Sequence, residues 1–433
     1  MYKCLFLLTK NTKNINISVT INIIMDINKF NGQSGTIIVG DGVIDGTEQK
    51  YGYFLPKGLP HKLILSSEIQ KKLDNANISI GELKGLAKNI RKKQLDLIIR
   101  AYKRREAWLS TKIEGTNVSL TDVFLNEAGS LEKRGYKDIQ EIKNYIHSLN
   151  ISLERLSKGR EINKDLLNEM HQNLLESVRG KDRLLGEYRK VQNWVDGKTW
   201  QTASFIPPPS SRVDDLMRYL FSFMEEQNDL SILIKIGLMH YYFETIHPYE
   251  DGNGRLGRTL IVLYLKKMGV IEIPILYISA FFEKNNRQYR ELLMKVREEG
   301  DYLSWLDFFL EGICQTSKDT SEKIKKLIEL YEFYHTKLEE INANAISFTL
   351  LDLFFENPFL SIPYIQLLIE KYYPLIKHNY PLIKRGIDNL LEVKFIEKYT
   401  LQKRNKFYEA REVERILESD LLSTPQTPDI YME

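Results

Sequence analysis

Apolar residues in this chain recur mostly at helical spacing, and two long apolar segments flank one short polar block. Before the block, residues 231–246 read SILIKIGLMHYYFETI, and after it residues 259–270 read TLIVLYLKKMGV. A third segment, residues 316–341, is charged and keeps the 3.6-residue period of a helix. These patterns predict a mainly α-helical protein in which the polar block interrupts a buried part of the chain.

The polar block, residues 247–258, has the sequence HPYEDGNGRLGR. Its three glycines disfavour a continuous helix, because a glycine in a helix interior costs about 1 kcal/mol relative to alanine. They predict a tight loop whose backbone N–H groups face an anion, followed by a helix whose N-terminus also favours negative charge. Arg255 and Arg258 lie three residues apart at the start of that helix and therefore point the same way.

The residue types in the block fit nucleotide chemistry. Mg²⁺ prefers one or two carboxylates together with phosphate oxygens, so Asp251 is the candidate metal ligand. We expect the backbone N–H groups of residues 252–254 to hold the α- and β-phosphates, and the two arginines to neutralise the rest. His247, with an ordinary pKa near 6.5, can accept a proton from an attacking hydroxyl. The spacing does not distinguish attack on the α-phosphate from attack on the γ-phosphate.

The block resembles the signature of the Fic family (filamentation induced by cAMP), HxFx(D/E)GNGRxxR. Every polar position matches, and the departure is Tyr249 where phenylalanine is usual; its ring is expected to anchor the loop in the core. Fic enzymes typically transfer AMP from ATP to a protein hydroxyl, so the resemblance implies an adenylyltransferase that uses ATP with Mg²⁺ or Mn²⁺. The residues implied to bind ATP beside the catalytic His247 are Gly252, Asn253, Gly254, Arg255, Leu256, Gly257 and Arg258.

A second motif lies upstream, where Ser110-x-x-x-Glu114-Gly115 resembles the inhibitory (S/T)xxxE(G/N) helix that some Fic proteins carry. In those proteins the glutamate pairs with the second arginine of the signature, here Arg258, and blocks placement of the γ-phosphate. The resemblance implies an inhibitory helix over residues 105–116. Because Ser110 and Glu114 lie on one helical face, we also expect the hydroxyl to help hold the carboxylate.

Residues 191–200 are rich in β-branched and aromatic side chains around Asp196-Gly197, which predicts a β-hairpin. Fic proteins carry here a flap that covers the nucleotide and aligns the target segment by strand-like pairing, which implies a flap over residues 187–206. A hairpin without a docking role is the alternative. Further on, Asn285 and Tyr289 are candidates to reach the adenine, although an aromatic residue on a helix is more often part of the core.

Composition and charge add little that is specific. The net charge of +3 is too small to demand a nucleic-acid or membrane partner, and no apolar run approaches the roughly 18 residues of a membrane helix. Cys4 and Cys314 are the only cysteines, which argues against a disulfide framework and favours a reducing compartment. We therefore expect a cytoplasmic protein.

The 433 residues suggest two or three domains. Residues 1–24 are expected to be an upstream extension without a folded role, and residues 25–94 resemble the N-terminal extension of longer Fic proteins. Residues 95–315 form the predicted Fic-type helical bundle core with its β-hairpin flap. Residues 316–341 are expected to be a connector or dimerisation helix, with a homodimer as the expected assembly, and residues 421–433 a disordered tail.

Residues 342–420 predict a winged helix-turn-helix domain. One helix stops at Pro358, a second and a third follow, and a two-stranded wing has Lys403, Arg404 and Asn405 at its tip. DNA binding needs base-reading residues on the third helix and phosphate contacts from helix and wing. The third helix offers four basic side chains against two acidic ones, so DNA and protein remain alternative partners; these residues are Lys377, His378, Lys384, Arg385, Asp388 and Glu392.

Two classes of function follow. The favoured one is a protein adenylyltransferase that modifies a Tyr, Thr or Ser hydroxyl of a target and of itself, is self-inhibited by Glu114, and removes AMP when Glu114 orients a water. The alternatives are a DNA-binding regulator that uses the Fic core as a nucleotide sensor, or a Fic enzyme that transfers another phosphate-containing group. His247 argues against the sensor, because a sensor needs no base at that point.

Overall fold

The fold is known from a computed structural model of the chain. The structure describes residues 25, 27–44, 46–129, 135–176, 184–374, 379–400 and 406–419. The expectations for residues 1–24 and 421–433 lie outside these ranges. So do those for Lys377, His378 and the wing tip, residues 403–405.

Residues before the helical bundle form a β-hairpin that the sequence analysis did not predict. Strands β1 (Gly35–Ile44) and β2 (Thr47–Pro56) pair antiparallel, with Ile44 opposite Thr47. A two-residue Asp-Gly connection of this kind favours the tight turns of hairpins, and Gly46 has the positive φ of 74° that such turns require. The amide of Phe54 donates to the carbonyl of Ile206 (3.0 Å), so the hairpin packs against the segment predicted to be the flap.

Eleven helices within the described ranges make up the bundle and its long final helix. They are α1 (Ser67–Asn89), α2 (Lys92–Ile113), α3 (Leu120–Glu127), α4 (Tyr136–Ser157), α5 (Lys164–Leu175), α6 (Ser210–Glu225), α7 (Ile232–Ile246), α8 (Asn253–Lys267), α9 (Ser279–Lys284), α10 (Asn286–Glu299) and α11 (Tyr302–Glu340). None within those ranges is long and apolar enough to cross a membrane.

Helix α7 lies at the centre of the bundle, because it is apolar on all sides. Every residue from Leu233 to Ile246 is buried, and the helix packs against α6, α8 and α11. A helix that is hydrophobic all round is stable only inside a core. Because α7 is fixed in the core, its C-terminal end fixes the position of the polar block, residues 247–258, whose second half forms the start of α8.

The predicted boundary between core and connector, at residues 315 and 316, is not a break in the chain. Helix α11 runs without interruption over 39 residues. Its N-terminus is capped by Asp301, whose carboxylate accepts from the amide of Ser304 (3.0 Å). The helix packs against α7, α1 and the first helix of the C-terminal segment, so the predicted connector is the second half of a helix that belongs to the core.

The C-terminal segment contains the predicted three helices and two wing strands, together with a strand and a helix that were not predicted. Its sheet is antiparallel in the order β3 (Phe359–Ser361), β5 (Lys406–Glu409), β4 (Glu397–Thr400). On α14 (Tyr380–Glu392), Lys384 pairs with Asp388, which reduces the positive charge available for phosphate. The winged helix-turn-helix assignment stays a prediction. The elements are α12 (Ala345–Glu356), β3 (Phe359–Ser361), α13 (Ile362–Tyr372), α14 (Tyr380–Glu392), β4 (Glu397–Thr400), β5 (Lys406–Glu409) and α15 (Arg411–Glu418).

Partly buried ion pairs connect the C-terminal segment to helix α2. Arg104 of α2 donates to Glu127 of α3 (2.7 Å) and to Glu356 of α12 (3.3 Å), and its side chain is only 13% exposed. Arg100, one turn earlier, also donates to Glu356 (2.9 Å). Helix α2 thus holds the C-terminal segment on one face while its last turn reaches toward α8.

We expect Arg104→Ala to lower the free energy of unfolding by about 3–5 kcal/mol, because it leaves the largely buried Glu127 carboxylate without its cation and leaves Glu356 with Arg100 alone. The matched control is Arg155→Ala, which removes a half-exposed arginine paired with Glu169 at 3.0 Å, and whose cost is expected to stay below about 1 kcal/mol. Urea denaturation followed by circular dichroism measures both. Equal losses in the two variants would show that the Arg104 cluster does not fasten the segment.

Candidate active site

His247 ends helix α7 in the left-handed conformation, with φ 51° and ψ 62°. This conformation is uncommon for a residue other than glycine, and it persists only where the surroundings hold it. The His247 amide donates to the carbonyl of Phe243 (3.0 Å), and its own carbonyl accepts from Arg189 Nε (2.9 Å) and Asn193 Nδ2 (3.4 Å). The backbone of the candidate base is therefore fixed on both sides.

The loop after His247 is closed by Asn253 and anchored by Tyr249. The Asn253 side chain accepts from the Tyr249 amide (2.9 Å) and donates to the Tyr249 carbonyl (2.8 Å). The expectation that Tyr249 anchors the loop in the core is confirmed: its side chain is buried, and its ring stacks on His171 at 4.1 Å. The Asn253 side chain is thus committed to the loop, and only its main-chain N–H, in the first turn of α8, suits a phosphate.

Arg255 and Asp251 are linked to each other and to α4. The Arg255 guanidinium, 1% exposed, donates to Glu141 (2.9 Å) and lies 3.5 Å from the Asp251 carboxylate. Asp251 Oδ1 also accepts from the amide of Gly252 (2.7 Å), the N-cap residue of α8, which has a positive φ of 77°. Arg255 is thus engaged by carboxylates, and its predicted contact with phosphate stays a prediction.

Arg258 is held by the residues predicted to inhibit the site. Its Nε donates to the Ser110 hydroxyl (2.8 Å), and its Nη2 donates to the Ser110 carbonyl (2.8 Å) and to Glu114 Oε1 (2.7 Å). The structure differs from expectation in one respect: Ser110 holds the guanidinium rather than the Glu114 carboxylate. The reason is that α2 ends at Ile113 and Glu114 follows its last turn, so both residues reach across to α8.

The Glu114 carboxylate lies over the first turn of α8. A Cβ added to Gly254 would collide with Glu114 Oε1, so glycine at 254 leaves the space that the carboxylate fills. Desolvation by itself would raise the pKa of Glu114, but Arg258, with the charges of Arg255 and Arg290, lowers the pKa below its ordinary value. An anionic group therefore already lies where the helix N-terminus and Arg258 favour negative charge.

The predicted β-hairpin flap is wrong in its detail. Residues 191–206 contain one isolated bridge between Val195 and Phe205 and a single 3₁₀ turn, Trp200–Thr202, in place of two strands. Asp196 and Gly197 do turn the chain, with φ values of 56° and 76°. The pairing between Val195 and Phe205 does not extend into a ladder. The prolines at positions 207–209 have no amide hydrogen to donate to a partner strand.

Tyr289 and Asn285 are placed by structural contacts. Tyr289 is 5% exposed, its hydroxyl lies 2.9 Å from His240 Nε2, and its ring stacks on Phe282 at 4.4 Å. Asn285 Nδ2 donates to the carbonyl of Phe281 (2.9 Å) where α9 meets α10. These contacts fit the alternative that the tyrosine belongs to the core, and contact with adenine stays a prediction for both residues.

The sequence analysis missed two charged residues beside His247. Arg189, 2% exposed, donates to the carbonyls of His247, Val191 (3.2 Å) and Pro208, and so ties the flap segment to the loop. Glu244, 7% exposed, lies one turn before His247. An acidic residue inside the apolar segment 231–246 was the available signal, because carboxylates are rarely buried without a specific partner.

Burial, assisted by the charge of Arg189, lowers the pKa of His247 to about 4. The imidazole is therefore neutral at pH 7 and can accept a proton. Leu256 and Gly257 are both buried in the first turns of α8. Because Gly257 has no side chain, α8 can pack close to α7 at this point. The site thus combines a neutral base, a helix N-terminus and a buried arginine, an arrangement suited to reactions of bound phosphate esters.

Comparison with known proteins agrees with this class of site. Residues 161–265 match the Fic/DOC family and residues 70–154 match the Fic/DOC family N-terminal region. A protein named "Probable protein adenylyltransferase" from Aquifex aeolicus is 34% identical over 100 residues, which cover 22% of this chain and 30% of that protein. The protein adenylyltransferase Fic of Drosophila grimshawi is 27% identical over 175 residues, which cover 38% of this chain and 33% of that protein. The matches thus span about a third of the length of these relatives.

The fold has a close counterpart among solved structures. A Fic family protein from Desulfovibrio desulfuricans G20 superposes with a TM-score of 0.53, over 81% of this chain and 98% of that chain, at 19% identity. At this identity the likeness concerns the fold alone. The family matches show that residues 70–154 and 161–265 are a Fic N-terminal region followed by a Fic domain.

A pH-dependent stability test checks the environment of His171, which stacks beneath the loop. Burial lowers its pKa to about 4, so below pH 6.5 the unfolded chain takes up a proton before the folded one does. Stability from this residue is present above pH 6.5 and is lost as the pH falls toward 4. We expect His171→Asn to flatten the plot of unfolding free energy against pH between about 4.5 and 6, by up to about 1.4 kcal/mol per pH unit.

The difference in slope between the unmodified protein and the His171→Asn variant gives the contribution of His171 alone. Burial raises the pKa values of Glu106 and Glu244 to about 7, and these residues act in the opposite direction but are common to both proteins. Urea denaturation at four pH values gives the slopes. Identical slopes would mean that His171 takes up a proton as easily in the folded protein as in the unfolded chain.

Proposed function

We propose that this protein is a protein adenylyltransferase that transfers AMP from ATP to a Tyr, Thr or Ser hydroxyl of a target protein and of itself, and that Glu114 inhibits it. The observation that carries the proposal is the Glu114 carboxylate over the first turn of α8, bound to Arg258 at 2.7 Å. A carboxylate held there occupies space that favours phosphate. The names of the relatives from Aquifex aeolicus and Drosophila grimshawi support the choice of AMP transfer.

The proposed step assigns one role to each group. His247 accepts the proton of the target hydroxyl, the hydroxyl oxygen forms a bond to the α-phosphorus, and the bond from that phosphorus to the β-bridging oxygen breaks. Pyrophosphate leaves with the electron pair of that bond. Main-chain N–H groups in the first turn of α8 stabilise the charge on the phosphates, and Arg258 does the same once Glu114 releases it. The same residues would act on an AMP-modified target, with Glu114 orienting a water.

A magnesium or manganese ion fits the site through Asp251. Its carboxylate, 18% exposed, offers hard oxygen beside the start of α8, and Mg²⁺ is commonly held by one or two carboxylates together with substrate phosphates. In the part of the chain that the structure describes, no group of three or more histidine, cysteine or acidic side chains is placed to hold a metal. This suits an ion that binds with the nucleotide, where Asp251 would hold it and the ion would neutralise phosphate charge.

Removal of the inhibitory carboxylate is expected to raise activity. Glu114→Gly frees Arg258 for the γ-phosphate, and because a charge-assisted hydrogen bond is worth on the order of 1.5–3 kcal/mol, auto-adenylylation should rise by about 10- to 100-fold. Glu114→Gln, which keeps the size and removes the charge, should give a smaller rise. Incorporation of label from α-labelled ATP measures both, and mass spectrometry identifies the modified residue.

The gain should depend on Arg258. In the double variant Glu114→Gly with Arg258→Ala, activity should return to a low level, because the freed partner of the phosphate is missing. If Glu114→Gly labels no faster than the unmodified protein, Glu114 is not an inhibitor. If no variant transfers AMP to itself or to proteins of a lysate, the adenylyltransferase proposal itself is wrong.

Catalysis and nucleotide binding should separate in two further variants. In the Glu114→Gly background, His247→Ala should abolish transfer and leave the ATP dissociation constant nearly unchanged, because the histidine acts on the hydroxyl. Asp251→Ala should weaken binding of Mg·ATP, and excess Mg²⁺ should restore part of it. Isothermal titration calorimetry measures both affinities. Transfer by the His247 variant at a rate near that of its parent would remove the histidine from the role of base.

A further inference from the structure

Glu244 is a buried carboxyl that the mechanism above leaves without a task. It lies in the last turn of α7, three residues before His247, and is 7% exposed. Its Oε2 lies 3.9 Å from Nδ1 of His247. Within the described part of the chain, both Glu244 Oε1 and His247 Nδ1 are buried side-chain atoms without a hydrogen-bond partner. The carboxyl oxygen near Nδ1 is Oε2, whereas Oε1 lies toward Gly257, and the main-chain carbonyl of Glu244 also acts on the imidazole. A buried carboxyl and a buried imidazole this close are costly unless the two groups interact.

Helix α8 passes close to the Glu244 carboxyl at Gly257. A Cβ added to Gly257 of α8 would collide with Glu244 Oε1. The absence of a side chain at position 257 thus allows α8 to pass directly over the carboxyl. The sequence singled out Gly257 as part of the nucleotide cradle, but its closest neighbour across the helix interface is this acidic side chain.

Charged groups of both signs surround this carboxyl. Arg258 faces it from α8, Arg297 and Arg290 face it from α10, and Glu114 faces it from the end of α2. Burial raises the pKa of Glu244 to about 7, and Arg258 acts against that rise. A carboxyl with this balance changes its charge in response to a proton on a neighbour, which a firmly paired carboxylate does not.

We propose that Glu244 is a positioning residue for His247. Its carboxylate accepts a hydrogen bond from Nδ1–H of the imidazole, so that Nε2 carries no hydrogen and can receive the proton of the target hydroxyl. The carboxylate then stabilises the imidazolium that forms. This inference rests on the proposed function, in which His247 is the base. A third group that orients a histidine base in this way is a recurring feature of nucleophilic and acid–base sites.

The observed distance fits a contact that forms during the reaction. At 3.9 Å the pair is too long for a hydrogen bond, and catalytic hydrogen bonds in proteins without ligand are often long. When Nε2 gains the proton, the ring carries a positive charge and Nδ1 keeps its hydrogen. Attraction between this ring and the Glu244 carboxylate then favours a shorter contact.

The first test reads the histidine itself and needs no transferase activity. In protein labelled with ¹⁵N-histidine, the ring nitrogen signals of His247 are assigned by their loss in His247→Ala. We expect Glu244→Gln to lower the proton affinity of His247 about tenfold and to change the balance of its two neutral tautomers. The matched control is Glu106→Gln, which replaces a carboxyl that is also buried but is bound by Tyr145 (2.9 Å) and Ser279 (2.5 Å).

The control should leave the His247 signals unchanged. Identical His247 titration and tautomer populations in Glu244→Gln and in the unmodified protein would overturn the proposal. The His247 titration can be measured even if the chain transfers no AMP. A negative result here therefore contradicts the role of Glu244 without deciding whether the protein is an adenylyltransferase.

The second test uses kinetics in the Glu114→Gly background. Glu244→Gln should lower kcat by about 10- to 100-fold with little change in the KM for ATP, and Glu244→Asp should restore part of the rate. The pH profile should shift as well, because the variant histidine loses its proton at lower pH. A raised KM with unchanged kcat would assign Glu244 a structural role only, and would overturn the proposal.

Discussion

The buried guanidinium of Arg258 is the interaction on which the rest of the site depends. A charged group that is 1% exposed is stable only with strong partners, and all of those that the hydrogen bonds identify come from α2, through Ser110 and Glu114. The pairing fixes the end of α2 against the start of α8. It also places a carboxylate over the first turn of α8, so the contact that stabilises the fold is the one through which we propose that Glu114 inhibits the site.

Helix α2 connects this contact to the C-terminal segment. Its middle carries Arg104, which binds Glu127 and Glu356, and its last turn carries the Ser110 and Glu114 contacts. Both sets of contacts thus lie along one uninterrupted helix of 22 residues, whose length of about 1.5 Å per residue fixes their separation.

Local sequence signals anticipated the site better than they anticipated its surroundings. The loop and helix of residues 247–258 follow from residue types at fixed spacing, and the buried ring of Tyr249 and the Glu114–Arg258 pair agree with what the resemblance to Fic motifs implied. The flap failed because hairpin propensity over residues 191–200 is a local preference, whereas pairing requires a partner strand with free amide groups. The β1–β2 hairpin, with its Asp-Gly turn, carried a usable signal that was overlooked.

The sequence by itself determined a helical protein with an anion-binding helix start and a histidine beside it, and the pairing of Glu114 with Arg258 was implied by the resemblance to the inhibitory helix of Fic proteins. Only the tertiary structure decided that Ser110 grips the guanidinium, that Arg255 is engaged by Glu141, and that the Glu244 carboxyl faces His247. The physical reason is distance along the chain: Ser110 and Arg258 are 148 residues apart, and helical periodicity fixes which face a residue occupies but not which helix packs against it.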